Sequence, residues 1–186
     1  TGGWVYQEAF GLTGLYDIRN GKDEDRALIR ALYRAALPGE DLSELLSDLF
    51  AERDDVLSLV AVSGDDVLGH VAFTVCRIEG GDAELALLVP LPVLPAQQRR
   101  GIGTALIGEG LRRLREGGVA RVLVLGDPNY YGRFGFATET AIVAPYPLVP
   151  AWRTAWQSLA LRKNSTVIDG HLIVPPPWMR ASLWSP

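Results

Sequence analysis

The sequence predicts an α+β domain in which helices and strands are layered, and three observations predict it. The apolar period changes twice along the chain, from a helical spacing to alternation and back, so helical stretches flank a block of strands. The 186 residues match one domain spanning 1–186, at about 100–200 residues per domain. Apolar residues make up 48% and charged residues 22%, a composition that supports a packed core and lies far from disorder.

Each element follows from its own signals. Asp23-Glu24-Asp25 precedes Leu28, Ile29, Leu32 and Ala36 at helical spacing, and Pro38-Gly39 stops the run. Asp41 followed by Glu44 reads as a capping box, and Leu42, Leu45, Leu46, Leu49 and Phe50 give a second apolar helix face. Val56 to Val62 and Val67 to Arg77 are rich in β-branched residues and are separated by Gly64-Asp65-Asp66, a hairpin turn. A third strand from Glu84 to Leu94 continues the meander. Residues 101–116 return to helical spacing through Ile102, Leu106, Ile107, Leu111 and Leu114, and Gly117-Gly118 ends them. Val119 to Leu125 is a buried strand, Gly126-Asp127-Pro128 breaks it, a short aromatic helix covers Tyr130 to Phe134, and Ala137 to Val143 is another strand. From Pro145 the chain is dense in Pro and Trp. Its tryptophans Trp152, Trp156, Trp178 and Trp184 either pack over the domain or wall an acceptor pocket or dimer interface, and a homodimer stays open.

Composition excludes several classes. With 18 Lys plus Arg against 22 Asp plus Glu, the net charge of −4 is opposite to what a general nucleic-acid binder needs. Cys76, the single cysteine, can neither form an internal disulfide nor build a multi-thiolate zinc site, so no metal is expected and a reducing cytoplasm fits. The apolar run from Leu85 to Ala96 is shorter than the roughly 20 residues of a membrane span and is interrupted by Pro90, Pro92 and Pro95. Thr1-Gly2-Gly3 carries no leader pattern, and the first dozen residues are left unassigned.

The chemistry concentrates between a strand and a helix. In Gln98-Arg99-Arg100-Gly101-Ile102-Gly103-Thr104, successive backbone N–H groups with no bulky side chains can surround a phosphate. It is not a dinucleotide fingerprint, since Leu106 replaces the third glycine, and it lacks the Gly-Lys-Ser/Thr of a P-loop. Upstream, Pro90 and Pro92 lack N–H donors, so one edge of the third strand loses its ladder bonds. Leu91 and Val93 keep donors on the opposite side, and the strand is expected to part there from a neighbour and offer that backbone to an extended ligand.

Leu91-Pro92-Val93-Leu94-Pro95-Ala96, the Gln98-x-x-Gly101-x-Gly103 loop, and Tyr131 four residues before Gly135-Phe136 together resemble the GNAT superfamily of N-acetyltransferases over about residues 16–140. Within it, the run from Leu125 to Phe136 and the Pro/Trp tail (about 145–186) are similar to the predicted acetyltransferases labelled YhbS. The resemblance implies the GNAT acyl-CoA N-acyltransferase fold, a mixed and mostly antiparallel sheet splayed near the cofactor, with helices on both faces. It implies acetyl-CoA as donor and CoA as product, with the Leu91 and Val93 backbone on the pantetheine arm and residues 98–104 around the pyrophosphate. Asn129 is a further pantetheine contact, and Arg99 and Arg100 add charge near the phosphates. Pro92 departs from the small residue more usual at its position.

The implied reaction is attack by an acceptor amine of unknown identity on the thioester, which needs an oxyanion donor and a proton for the leaving thiolate. The Val93 N–H is the expected oxyanion donor. Tyr131 matches the position from which many family members protonate the thiolate, whereas Tyr130 is expected to be a packing residue. For the base, Glu84 corresponds to a glutamate that several members use, and His70 has a suitable unperturbed pKa; His171 is a third option. Cys76 has no second catalytic group placed near it. The alternative to an enzyme is a non-catalytic acyl-CoA-binding module on the same fold.

Overall fold

The computed structural model describes residues 16–51, 55–162 and 167–185. The unassigned first dozen residues lie outside that set. The chain opens with a strand that the sequence reading does not contain, β1 (Asp17–Asn20), which pairs antiparallel with β2 (Val56–Ser63). Four residues with a single apolar position, Ile18, give too short a pattern to read.

A single 3-10 turn at Asp23–Asp25 leads into α1 (Arg26–Ala36), which buries Ile29, Leu32 and Tyr33. Helix α2 (Ser43–Ala51) buries Leu45, Leu46 and Leu49. The expected capping box is made by half: Asp41 accepts the Ser43 amide at 3.2 Å, while the Glu44 carboxylate faces Arg180 of the C-terminal segment at 3.6 Å.

Strand β2 turns through Gly64-Asp65, with Gly64 at φ +57°, into β3 (Asp66–Ile78). The third strand is much shorter than expected: β4 covers Leu85–Leu88, and the chain from Val89 to Leu94 follows β3 only irregularly. Helix α3 (Ile102–Glu116), β5 (Arg121–Leu125) and the four-residue α4 (Pro128–Tyr131) follow. The strand expected over Ala137–Val143 is divided into β6 (Ala137–Thr138) and β7 (Ile142–Val143). Between them the chain folds around Glu139, whose carboxylate accepts from the Ala141 and Ile142 amides at 2.7 and 3.1 Å, from Arg121 at 2.8 Å and from Ser158 at 2.6 Å. The tail adds β8 (Trp156–Ala160) and β9 (Gly170–Ile173).

Strand order is β1-β2-β3-β4-β5-β8-β6, with β9 paired to β3 and β7. All pairs are antiparallel except β4 with β5 and β7 with β9. Two apolar cores lie on opposite faces. One joins Val71 and Phe73 of β3 to Ile102, Leu106, Ile107 and Leu111 of α3; the other joins Ala72 and Cys76 to α1, α2 and the tail. Alternation along β3 makes that division. Helix α3 approaches the sheet closely because Gly110 has no side chain: a Cβ there would lie 2.3 Å from the Phe73 ring. On the opposite face Trp178 Nε1 donates to Thr74 Oγ1 at 3.1 Å, Trp184 Nε1 to the Trp178 carbonyl at 3.0 Å, and Trp156 Nε1 to the Ile142 carbonyl at 2.8 Å. All three indoles are buried, so the tail supplies core as well as strands. Among the described residues no helix is long and apolar enough to cross a membrane.

Candidate active site

Strands β4 and β5 pair in parallel only from Leu85 to Leu87 and from Arg121 to Leu123. Beyond that point each turns to its other neighbour. Strand β5 continues against β8 to the Leu125–Trp156 pair, while the chain after β4 returns to β3 at Val93, opposite Gly69. From Leu88 to Val93 is five residues, and from Phe73 to Gly69 on the partner is four, so one extra residue is bulged out in the Pro90–Pro92 stretch. The bulge is where the prolines remove donors.

It also sets the direction of the backbone. The bonds flanking the Gly69–Val93 pair are His70 N–H to Pro92 C=O at 3.1 Å and Leu94 N–H to Leu68 C=O at 2.8 Å. In that pattern the N–H and C=O of Val93 itself turn away from β3, toward the gap. The Val93 carbonyl accepts Gln98 Nε2 at 3.1 Å, so the Gln98 side chain ties the following loop to the strand.

That loop carries two left-handed residues in alternation, Arg99 at φ +59° and Gly101 at φ +83°. Alternating handedness of this kind turns neighbouring amides into a concavity for an anion, here at the N-terminus of a 15-residue helix. The first helical bond of α3 runs from the Ala105 amide to the Gly101 carbonyl, which leaves the amides of Ile102, Gly103 and Thr104 outside the helical ladder. Gly103 lets Tyr130 and Leu91 close against the loop, since a Cβ there would sit 2.4 Å from the Tyr130 hydroxyl and 3.1 Å from Leu91, while Gly101 has open space around its Cβ position. Arg99 and Arg100 are exposed, and Arg100 bonds Gln97 at 3.2 Å.

On the far side of the gap, Gly126-Asp127-Pro128 ends β5 and starts α4, with Asp127 Oδ1 capping the Asn129 amide at 2.9 Å. Asn129 is exposed there. Tyr131 is buried against Gly126, where a Cβ would lie 2.4 Å from its ring, and edge-on to Tyr130 and Phe136 with centroids at 5.1 and 5.8 Å. Burial pushes the Tyr131 phenol above its ordinary pKa, with the nearby Tyr130 and Glu40 adding to the shift and the Leu91 backbone amide opposing it. It is therefore protonated at neutral pH and faces the bulged strand. Tyr130 packs against Tyr131 and Phe134 with its hydroxyl over the first turn of α3, and Arg133 stacks 4.4 Å above its ring.

Two expected bases are placed elsewhere. Glu84 is exposed at the start of β4, 3.4 Å from Arg77, and seven residues of roughly 3.3 Å each separate it from Leu91. His70 is fully buried beneath the bulge with Tyr33 on Nδ1 at 3.0 Å and Ser58 on Nε2 at 2.9 Å. Burial pushes its pKa down to about 3, so the ring is neutral and both nitrogens are engaged. His171 lies exposed on β9, and Cys76 is buried with its thiol pushed up to about 12 by that burial.

The structure brings forward two groups that sequence reasoning missed. The Tyr33 hydroxyl donates to the Pro90 carbonyl at 2.8 Å. The carboxylate of Glu40, in the α1–α2 connection, acts electrostatically on both buried phenols, Tyr33 and Tyr131. Tyr33, Glu40, Arg30 and Arg34 line a cavity of about 390 Å³ between the two helices. A tyrosine on an apolar helix face reads as core, and Glu40 follows a helix stop as an ordinary loop acid; neither carries a motif.

A sheet that parts beside a glycine-rich helix start, with a protonated phenol across the gap, is the architecture of a CoA-thioester acyltransferase. The model of the acetyltransferase (GNAT) family matches residues 26–136, and the chain belongs to that family. It is 32% identical over 155 residues to the uncharacterized N-acetyltransferase YjhQ of Escherichia coli K12, covering 80% of this chain and 86% of YjhQ. To the uncharacterized N-acetyltransferase YhbS of the same strain it is 38% identical over 111 residues, 58% of this chain and 65% of YhbS. Among solved structures, E. coli YhbS in complex with CoA aligns with a TM-score of 0.80 and 29% identity over 89% of this chain and 93% of that one. A GNAT family acetyltransferase from Brucella melitensis in complex with acetyl-CoA aligns with a TM-score of 0.70 and 33% identity over 88% and 97%.

Proposed function

We propose that this chain transfers the acetyl group of acetyl-CoA directly to an amine, with Tyr131 as the general acid. The observation that carries the reading is that one gap holds the anion-shaped loop, the outward-turned Val93 backbone and the Tyr131 phenol. The residues fit the donor: the loop at 98–104 has the amides of Ile102, Gly103 and Thr104 for a pyrophosphate, with open space at Gly101, and Val93 offers strand backbone to the pantetheine amides beside Leu91, whose amide bonds the Tyr131 phenol. Asn129, exposed at the head of α4, is a further contact, and the exposed Arg99 and Arg100 add positive charge on the loop itself.

Bound acetyl-CoA supplies a thioester carbonyl open to attack by a neutral amine. As the C–N bond forms and the C–S bond breaks, the Val93 N–H stabilises the developing charge on oxygen. Tyr131 gives its proton to the departing sulfur and is reprotonated by the proton that the product nitrogen releases through water, which balances amine plus thioester against amide plus thiol. Its raised pKa keeps that proton in place until sulfur needs it. The cavity between α1 and α2, lined by Arg30 and Arg34 as well as Glu40 and Asp41, receives the acceptor.

Calorimetry with acetyl-CoA and with CoA tests the donor, and release of free thiol in the presence of an amine library tests the reaction. Binding with turnover that Tyr131→Phe removes supports the reading. Binding without turnover on any amine would favour an acyl-CoA-binding module, and no binding would overturn both.

A further inference from the structure

The buried polar residues beneath the bulge form a chain with a defined sense. Pro90 has a carbonyl and no N–H, so the single Tyr33 hydroxyl proton is committed to that carbonyl at 2.8 Å. His70 Nδ1 lies 3.0 Å from the same hydroxyl oxygen and must therefore carry the ring proton and donate it. Nε2 is then the lone-pair nitrogen, and it accepts from the Ser58 hydroxyl at 2.9 Å. The outer end is closed by the residue after β1, where the Gly21 amide donates to the Ser58 carbonyl at 3.0 Å and a Cβ on Gly21 would meet Ser58 Oγ at 2.6 Å. His70 is wedged edge-on between Tyr33 and Phe50, with centroids at 5.6 and 6.2 Å.

We infer that Ser58, His70 and Tyr33 are positioning residues for donor binding: they hold the Pro90 carbonyl toward α1 so that the bulge turns Leu91 and Val93 toward the gap. The inference rests on the acetyl-CoA reading. His70 thus acts through Tyr33 and the backbone rather than on a substrate proton. The geometric reason is that a bulged strand without proline N–H groups has few bonds to fix its twist. His70 N–H to Pro92 C=O and Tyr33 O–H to Pro90 C=O are two bonds on the α1 and β3 side that specify it.

The test compares two ligands. CoA reaches the Leu91–Val93 backbone through its pantetheine arm, whereas 3′-phosphoadenosine 5′-diphosphate has only the nucleotide half, which the loop at 98–104 serves. Calorimetry on wild type, Tyr33→Phe, His70→Ala and His70→Asn, with a melting curve for each, separates positioning from folding. Tyr33→Phe keeps the ring and loses the clamp, and is expected to weaken CoA about 10-fold while the nucleotide Kd stays within about twofold. His70→Ala should show the same split, and His70→Asn, which keeps an N–H donor at the Nδ1 position, should recover most of the CoA affinity. Equal weakening of both ligands, or unchanged CoA affinity in Tyr33→Phe, would overturn the inference while leaving the acetyl-CoA reading intact. Failure of wild type to bind CoA while it binds the nucleotide would overturn the acetyl-CoA reading and the inference with it.

Discussion

The two faces of strand β3 solve different problems. Toward α3 the strand and helix use absence: Gly69, Gly103 and Gly110 remove side chains so that a helix N-terminus and its loop lie close to the sheet, and backbone groups are what the gap presents. Toward α1, α2 and the tail it uses buried polar side chains, His70 and Thr74, each with named partners in Tyr33, Ser58 and Trp178. One face keeps backbone available to a ligand, and the other spends side-chain hydrogen bonds on holding the backbone still. The lesson is that the backbone geometry on one face rests on a satisfied polar core on the other, since an unpaired buried group there would cost about 1–3 kcal/mol.

The largest expected effect separates the phenol from the backbone around it. Tyr131→Phe should lower kcat by about 10²- to 10⁴-fold with the acetyl-CoA Kd nearly unchanged, measured by thiol release and calorimetry. A parallel loss of affinity would show that the phenol also shapes the gap. Next, Gly103→Glu places bulk against the Tyr130 hydroxyl and a negative charge in the loop, and should weaken CoA by about 100-fold or more in the same calorimeter.

A glycine pair then sharpens the claim about absence. Gly110→Ala drives a Cβ into the Phe73 ring and should destabilise by about 1–3 kcal/mol in urea unfolding. Gly108, two residues earlier on α3, has open space around its Cβ position, and Gly108→Ala should stabilise by about 0.5–1 kcal/mol. Equal effects at both positions would remove close packing as the reason for glycine.

The polar face has a pH signature. His70 is held neutral, its pKa depressed to about 3 by burial and only slightly raised by Asp25, while Tyr33, Ser58 and Phe50 face it without offering a negative charge. A depressed folded pKa gives stability that is full above the unfolded value of 6.5 and is lost as pH falls, by up to about 1.4 kcal/mol per pH unit below it. His70→Asn should remove that slope in urea midpoints measured from pH 7 to 5. Below about pH 4.5 a second group contributes. Burial alone would raise the Glu139 carboxyl, but bonds from Ser158, the Ala141 and Ile142 amides and Arg121 more than offset it, so its pKa is lowered and its stabilisation is lost as pH falls. Glu139→Gln should flatten the acid limb by about 1 kcal/mol.

Much of the α3 face was legible in residue order, because helix period, glycine positions and two prolines are local signals. The loop at 98–104 and the loss of ladder bonds near Pro90 could be read without a fold. The polar face could not. His70 reads as a base on its reference pKa, and Glu84 only through the family resemblance; burial and strand direction place one beneath the sheet and the other at its far end. The tail tryptophans gave no pattern of their own, and three of them complete the core against β3, α2 and β7.

Local periodicity and backbone chemistry were sufficient for α1, α2, the β2–β3 hairpin, α3, the loop at 98–104 and the broken strand, since each depends on residues within one turn or one strand, but not for β1, the division of β6 from β7, or the tail strands β8 and β9. Which polar side chains meet, and with what proton inventory, was decided by tertiary packing. Tyr33 and Pro90 are 57 residues apart, and Trp178 and Thr74 are 104 apart. Hydrogen bonds act over about 3 Å, and no sequence interval encodes that distance until the sheet has brought the partners together.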